Sequence, residues 1–151
     1  MQEYTEFFQQ NLIMCLVWVG VLAALVMSFY KASTAKYKTI DNDELTFLIN
    51  KQDGVVVDIR SKEEFKHGHI AGSVHILPSD IKSGALSTIE KFKATPIIVV
   101  CKLGQTAPES ANLLAKAGFE NVTVLKNGMS AWNEKNLPLV SDKAVSKKGK
   151  K

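Results

Sequence analysis

Cys101 is the side chain of this sequence best suited to nucleophilic chemistry. It follows Pro96-Ile97-Ile98-Val99-Val100, an apolar run that reads as a buried strand, and opens the loop Lys102-Leu103-Gly104-Gln105-Thr106. Helical periodicity begins straight after the loop. A thiol between a strand end and a helix start meets backbone N–H groups and the positive end of the helix dipole. Both lower a cysteine pKa and favour the nucleophilic thiolate. A buried structural cysteine is the alternative reading of the position.

The loop residues suit that chemistry. Gly104 lets the backbone bend without a Cβ clash, and successive N–H groups can then point inward as an anion cradle. Lys102 adds a positive charge that favours the thiolate and attracts an anionic donor, or else is a solvated loop lysine. Leu103 and Gln105 complete the substrate-binding loop. Thr106 with Glu109 reads as a capping box, which turns the Thr106 hydroxyl to the helix and away from substrate.

The elements that must position this loop alternate between strand and helix. Residues 37–40 read as a short strand. Asp41 with Glu44 opens a helix to about Lys51, and Asp53-Gly54 is a turn. Val55-Val56-Val57 is a strand ending at Asp58, and Ser61 with Glu64 is a capping box that starts a short helix. Residues 73–77 read as strand, stopped by Pro78. Residues 81–92 are weakly helical and interrupted by Ser83-Gly84. The helix after Thr106 runs to about Lys116, before Gly118. Residues 122–125 form the last strand, and a helix through Ala131-Trp132 follows Asn127-Gly128. Uninterrupted Val/Ile strands alternating with helices predict an α/β fold, a parallel sheet with helices on both faces. Ligands of such sheets bind beyond the carboxyl ends of the strands, where Asp58 and Cys101 both fall.

The chain has 151 residues and a formal net charge of +4. Residues 12–30 carry no formal charge, and at about 1.5 Å per residue a helix of them nearly crosses the hydrocarbon core. A cleavable signal peptide is the rival, with Ser33-Thr34-Ala35 as its cleavage site. It needs a basic leader, and residues 1–11 contain no Lys or Arg. The expected organisation is therefore a short N-terminal segment 1–11, one transmembrane helix 12–30, a linker 31–38, a domain 39–140 and a Lys-rich tail 141–151. All 19 Lys and Arg lie from Lys31 onward, against 13 Asp and Glu there, a net of +6 for that part. Lysines 31, 36 and 38 after the span predict a single pass in the plasma (inner) membrane, N-terminus outside and domain in the cytoplasm. The short linker keeps the domain close to the membrane face. Cys15 falls inside the span, as a small apolar residue or a palmitoylation site.

Composition also narrows the partners. Two cysteines so far apart in character predict no disulfide, and no Cys/His cluster suggests a metal. Five lysines crowd the last nine residues with no aromatic side chains among them, so nucleic acid is not expected as a partner. That tail reads as solvated, or as touching anionic lipid.

Three separated motifs resemble the rhodanese family. Val57-Asp58-Ile59-Arg60, Glu64-Phe65 and Gly68-His69-Ile70-Ala71-Gly72-Ser73 resemble its N-terminal signature, and Gly128-Met129-Ser130-Ala131-Trp132 its C-terminal one. Cys101 through Thr106 stands where the family has its six-residue active-site loop. The resemblance spans about residues 37–139, and with the apolar segment the chain is similar to bacterial single-pass rhodanese-like proteins.

The resemblance implies sulfurtransferase chemistry without a cofactor. Cys101 would take sulfur from thiosulfate or another sulfane-sulfur donor and pass it as a persulfide to a thiol or protein acceptor. Asp58 and Arg60 would support the loop, Arg60 pairing with Asp58 or Glu64. His69 would be a hydrogen-bonded scaffold residue, and Trp132 would pack in the core. Many relatives have Arg or Ser where Thr106 stands, which puts thiosulfate in question and favours a persulfide donor. A non-catalytic rhodanese module that binds a membrane-protein partner is the alternative. Phosphatase chemistry requires Arg where Ala107 stands.

Overall fold

Val55-Val56-Val57, Ile97–Val100 and Val122–Leu125 share one property: no polar side chain interrupts them except Thr123. Such strands are stable only when both sheet faces are covered. In the computed structural model, which describes residues 11–33 and 36–141, they form the centre of a parallel sheet. The chain divides into two compact units, one up to residue 35 and one from residue 36.

The first unit holds α1 (Leu12–Ser33). Trp18, Leu22, Val26 and Phe29 are exposed on it, and none of the stretch Leu12–Tyr30 is buried. Length and apolar composition make α1 a candidate membrane span. Residues 1–10, the linker residues 34–35 and the Lys-rich tail from 142 onward lie outside the described residues.

The second unit contains β1 (Lys38–Ile40), α2 (Asn42–Gln52), β2 (Val55–Asp58), α3 (Lys62–His67), β3 (Val74–His75), α4 (Pro78–Ser83), β4 (Ile97–Val100), α5 (Ala107–Lys116), β5 (Val122–Leu125) and α6 (Gly128–Glu134). A single 3-10 turn, Glu90–Phe92, lies between α4 and β4. The strand order is β1-β5-β4-β2-β3, with every pair parallel. β4 is central; Val57 pairs with Val99 and Asp58 with Val100 across to β2, and Val99 pairs with Val124 across to β5.

The period-2 alternation of the strands sorts their side chains to two faces. Val57, Val99 and Val124 pack with Ile81 of α4 and Ala107, Ala111 and Leu114 of α5. Val56, Ile98, Val100 and Leu125 pack with Leu45 of α2 and Met129 and Trp132 of α6. Cys101, next in the alternation after Val100, returns to the α4/α5 side.

Local signals differ from expectation in four places, the first being that the strand read over residues 73–77 forms only at Val74–His75. Pro78 does not merely stop a strand; it occupies the first turn of α4, where its fixed φ and missing N–H cost nothing. The helix thus begins at Pro78 rather than Ile81, and Gly84 ends it at φ 78°. Asp41 caps α2 by accepting from the Asp43 and Glu44 N–H groups, but Glu44 reaches out to Lys38. Glu109 likewise pairs with Lys82 at 3.0 Å, and Thr106 makes no side-chain cap to α5. At Ser61 both halves of the capping box form.

Candidate active site

The end of β4 turns directly into the loop, and the loop folds around the Cys101 sulfur. Cys101 is only 4% exposed, and the Gly104 N–H donates to its Sγ at 3.1 Å. Burial raises the thiol pKa. The Thr106 hydroxyl and the N–H groups of Ala107, Thr106 and Gly104 oppose burial by hydrogen bonding to the sulfur, and the net shift is downward. The Thr106 hydroxyl makes no cap to α5, contrary to the expectation that helix capping would occupy it. With Glu109 drawn to Lys82 there is no reciprocal cap to hold it.

Two glycines let the loop close. Gly104 has φ 82°, and a Cβ there would lie 2.9 Å from the Asn127 nitrogen. Gly128 has φ 55°, and a Cβ there would lie 2.1 Å from the Cys101 carbonyl oxygen. Backbone thus meets backbone where the loop crosses the start of α6. The Met129 N–H donates to the Cys101 carbonyl at 2.8 Å, and the Ser130 N–H to the Lys102 carbonyl at 3.1 Å. The Ser130 hydroxyl donates to that same carbonyl at 3.2 Å. With the loop carbonyls turned outward to α6, its N–H groups are left to face the sulfur.

Asp58 and Arg60 support the neighbouring strand end. The Arg60 guanidinium grips the Asp58 carboxylate, with Nη2 2.6 Å from Oδ2 and Nε 3.0 Å from Oδ1. It also donates to the Gly68 carbonyl at 2.8 Å, and the Arg60 N–H donates to Asp58 Oδ1 at 3.0 Å. The pair is buried. Of the two partners open to Arg60, Asp58 is the one it takes.

Glu64 is engaged elsewhere. Its Oε2 accepts from the Ser61 hydroxyl and N–H, and its Oε1 lies 3.4 Å from Lys102 Nζ. Burial raises the Glu64 pKa, but the Ser61 hydrogen bonds and Lys102 lower it, and the lowering prevails. Lys102 thus reaches out of the loop rather than over the thiol. Leu103 is exposed at the loop tip.

The histidines are tied to backbone. His69 Nδ1 donates to the Phe65 carbonyl at 2.7 Å, and the ring stacks on Phe65 at 3.9 Å. His75 Nε2 donates to the Arg60 carbonyl at 2.7 Å. A carbonyl only accepts, so each of these nitrogens carries a proton. Trp132 is buried, with its indole N–H donating to the Pro138 carbonyl at 3.2 Å.

Sequence reasoning missed two contacts to the loop: Gly128 through Ser130 on its outer side, and Glu64 on Lys102. The Asn127-Gly128 pair was the available signal for the first, since it marks a left-handed backbone. For the second, Glu64 was already satisfied as a capping residue, and nothing local points its other oxygen at residue 102.

The rhodanese-like domain model matches residues 41–135. The chain is 46% identical over 143 residues to the uncharacterized protein YibN of Escherichia coli (strain K12), covering 95% of this chain and all of that protein. It is 34% identical over 96 residues to the thiosulfate sulfurtransferase GlpE of Pseudoalteromonas translucida, covering 64% of this chain and 89% of that enzyme. Among solved structures, the Alr3790 protein from Anabaena superposes with a TM-score of 0.59 at 28% identity, over 68% of this chain and 80% of that one. A rhodanese-related protein from Thermoplasma volcanium gives 0.57 at 25% identity, over 69% and 98%.

Proposed function

Since the chain belongs to the rhodanese-like domain family, we propose that it is a membrane-anchored sulfurtransferase that carries sulfur on Cys101. The observation that carries this reading is a buried cysteine at the end of β4 whose sulfur accepts from a backbone N–H of its own loop. The Gly104 N–H donates to Sγ at 3.1 Å, and hydrogen bonding from Thr106, Ala107 and Gly104 lowers the thiol pKa enough to outweigh burial. The same donors suit a persulfide, whose terminal sulfur is also an anion.

The reaction runs in two half-reactions. The Cys101 thiolate attacks the outer sulfur of thiosulfate or another sulfane-sulfur donor. With thiosulfate the S–S bond breaks, its electron pair leaves with sulfite, and Cys101 holds a persulfide anion. A thiolate on a small molecule or a protein then attacks the terminal sulfur, and the electron pair returns to Cys101. No outside oxidant or reductant is needed. A thiolate needs no general base, consistent with His69 and His75 being committed to backbone carbonyls. The GlpE relatives carry the name thiosulfate sulfurtransferase, which supports the donor class.

The test uses the full chain in detergent, mixed with thiosulfate or a small persulfide and weighed intact. A gain of one sulfur, about 32 Da, is expected, and it should vanish in Cys101→Ser. The depressed thiol pKa sets the pH dependence. The rate should climb with pH as thiolate forms and level off below the range of an ordinary thiol, with activity lost as pH falls through the folded-state pKa. No adduct with any donor would leave a binding module without this chemistry.

The α1 span anchors the enzyme in the inner membrane by contact with lipid, with the N-terminus outside and the domain, residues 39–140, in the cytoplasm. The support is the candidate span itself and the lysines that follow it. A thiol reagent unable to cross membranes should leave Cys101 unlabelled in intact cells and label it after lysis. Labelling in intact cells would reverse the orientation.

A further inference from the structure

Lys102 is the one formally charged side chain between Cys101 and Thr106. Its main chain is held, because its carbonyl accepts from both the N–H and the hydroxyl of Ser130. Its side chain is 73% exposed, so only a partner fixes where the ammonium sits. That partner is Glu64 Oε1 at 3.4 Å. Glu64 is itself anchored, with Oε2 accepting from the Ser61 N–H at 3.3 Å and the Ser61 hydroxyl at 3.0 Å. A fixed carboxylate therefore holds the loop's cation.

We propose that Glu64 is a specificity-determining residue for Cys101, which by pairing with Lys102 withholds the loop's cation from anionic sulfur donors. A thiolate attacking doubly charged thiosulfate brings like charges together, and a cation beside the sulfur would offset that repulsion. The loop's other positions, Leu103, Gly104, Gln105 and Thr106, carry no charge. With Lys102 neutralised, repulsion weighs most on doubly charged thiosulfate, and the site favours donors of lower charge, such as the singly charged persulfide of a neutral thiol. This assignment rests on the sulfur-transfer reading above and names the donor class for it.

The test separates the two. Alkylation of Cys101 by anionic iodoacetate and by neutral iodoacetamide is timed on the full chain at low ionic strength, with peptide mass distinguishing Cys101 from Cys15. The ratio of the two rates reports the charge at the loop and needs no sulfur transfer. Glu64→Gln keeps the capping box, since Gln also serves at that position, and should raise the iodoacetate:iodoacetamide ratio about threefold. The rise should shrink at high salt. In a Lys102→Met background the same substitution should raise the ratio less. Persulfide formation from thiosulfate should quicken in Glu64→Gln by a similar factor. An unmoved ratio, or an equal rise in both backgrounds, overturns the assignment of Glu64. A raised ratio with no persulfide from thiosulfate in any variant overturns the sulfur-transfer reading, and with it the donor class.

Discussion

Gly128→Ala should lower folding stability by about 3 kcal/mol or more, and it should disturb the Cys101 loop directly. Two costs add at this position. The backbone is left-handed, with φ 55°, which costs an alanine about 1 kcal/mol. The larger cost is steric, because the new methyl would stand 2.1 Å from the Cys101 carbonyl oxygen and 2.9 Å from its carbon. Both neighbours are main chain, so no side chain can rotate away. Relief requires the loop and the start of α6 to separate, which breaks the Met129 and Ser130 hydrogen bonds to the Cys101 and Lys102 carbonyls. Gly72→Ala is the control. Its φ is 76°, yet a Cβ there meets nothing within 4 Å, so it bears the conformational cost alone. Thermal melting should place Gly128→Ala more than about 10 °C below the parent and Gly72→Ala within about 4–8 °C. Alkylation of Cys101 should slow or lose its low-pH onset in the first variant only. Equal melting of the two would show that the close approach of loop and helix is not a constraint.

Arg60→Met should cost about 3–5 kcal/mol. The guanidinium is the main partner of a carboxylate that is 1% exposed, and methionine fills similar space without a charge. The Asp58 carboxylate is then left with the Arg60 N–H as its remaining hydrogen-bond donor among the described residues, and the Gly68 carbonyl loses its donor too. An ion pair out of water contributes little by itself, but an orphaned partner is expensive. Asp58→Asn combined with Arg60→Met should therefore be more stable than Arg60→Met alone, because the residual buried charge is gone. Denaturant melts of the single and double variants check this. A single variant as stable as the parent would mean that the pair does not hold the end of β2 beside β4.

These two positions differ in how far local sequence discloses them. Asp58 and Arg60 lie two residues apart at a strand end, so their pairing is an almost local event. The four-residue apolar runs, the Ser61-Glu64 box and the turn glycines are also local, and they were enough to read a parallel α/β fold with Cys101 at a strand end. Pro78 was misread because proline is compatible both with stopping a strand and with starting a helix, and only packing of Ile81 against α5 decides which. Thr106 was misread because a hydroxyl before a helix has two acceptable partners. Glu109 reaches Lys82, and Thr106 is left without a side-chain cap to α5.

What the sequence determined alone was periodicity: which runs are buried, which segments are helical, and that a lone thiol falls where a strand gives way to a helix. Tertiary structure decided what surrounds that thiol. Ser130 holds the carbonyl of a residue 28 positions earlier, Gly128 abuts Cys101, and Glu64 takes Lys102 from across the sheet's edge. The reason is physical. Burial patterns follow from the repeat of a single element, whereas these contacts exist only after β2, β4 and β5 are placed side by side and their carboxyl ends bring distant loops together.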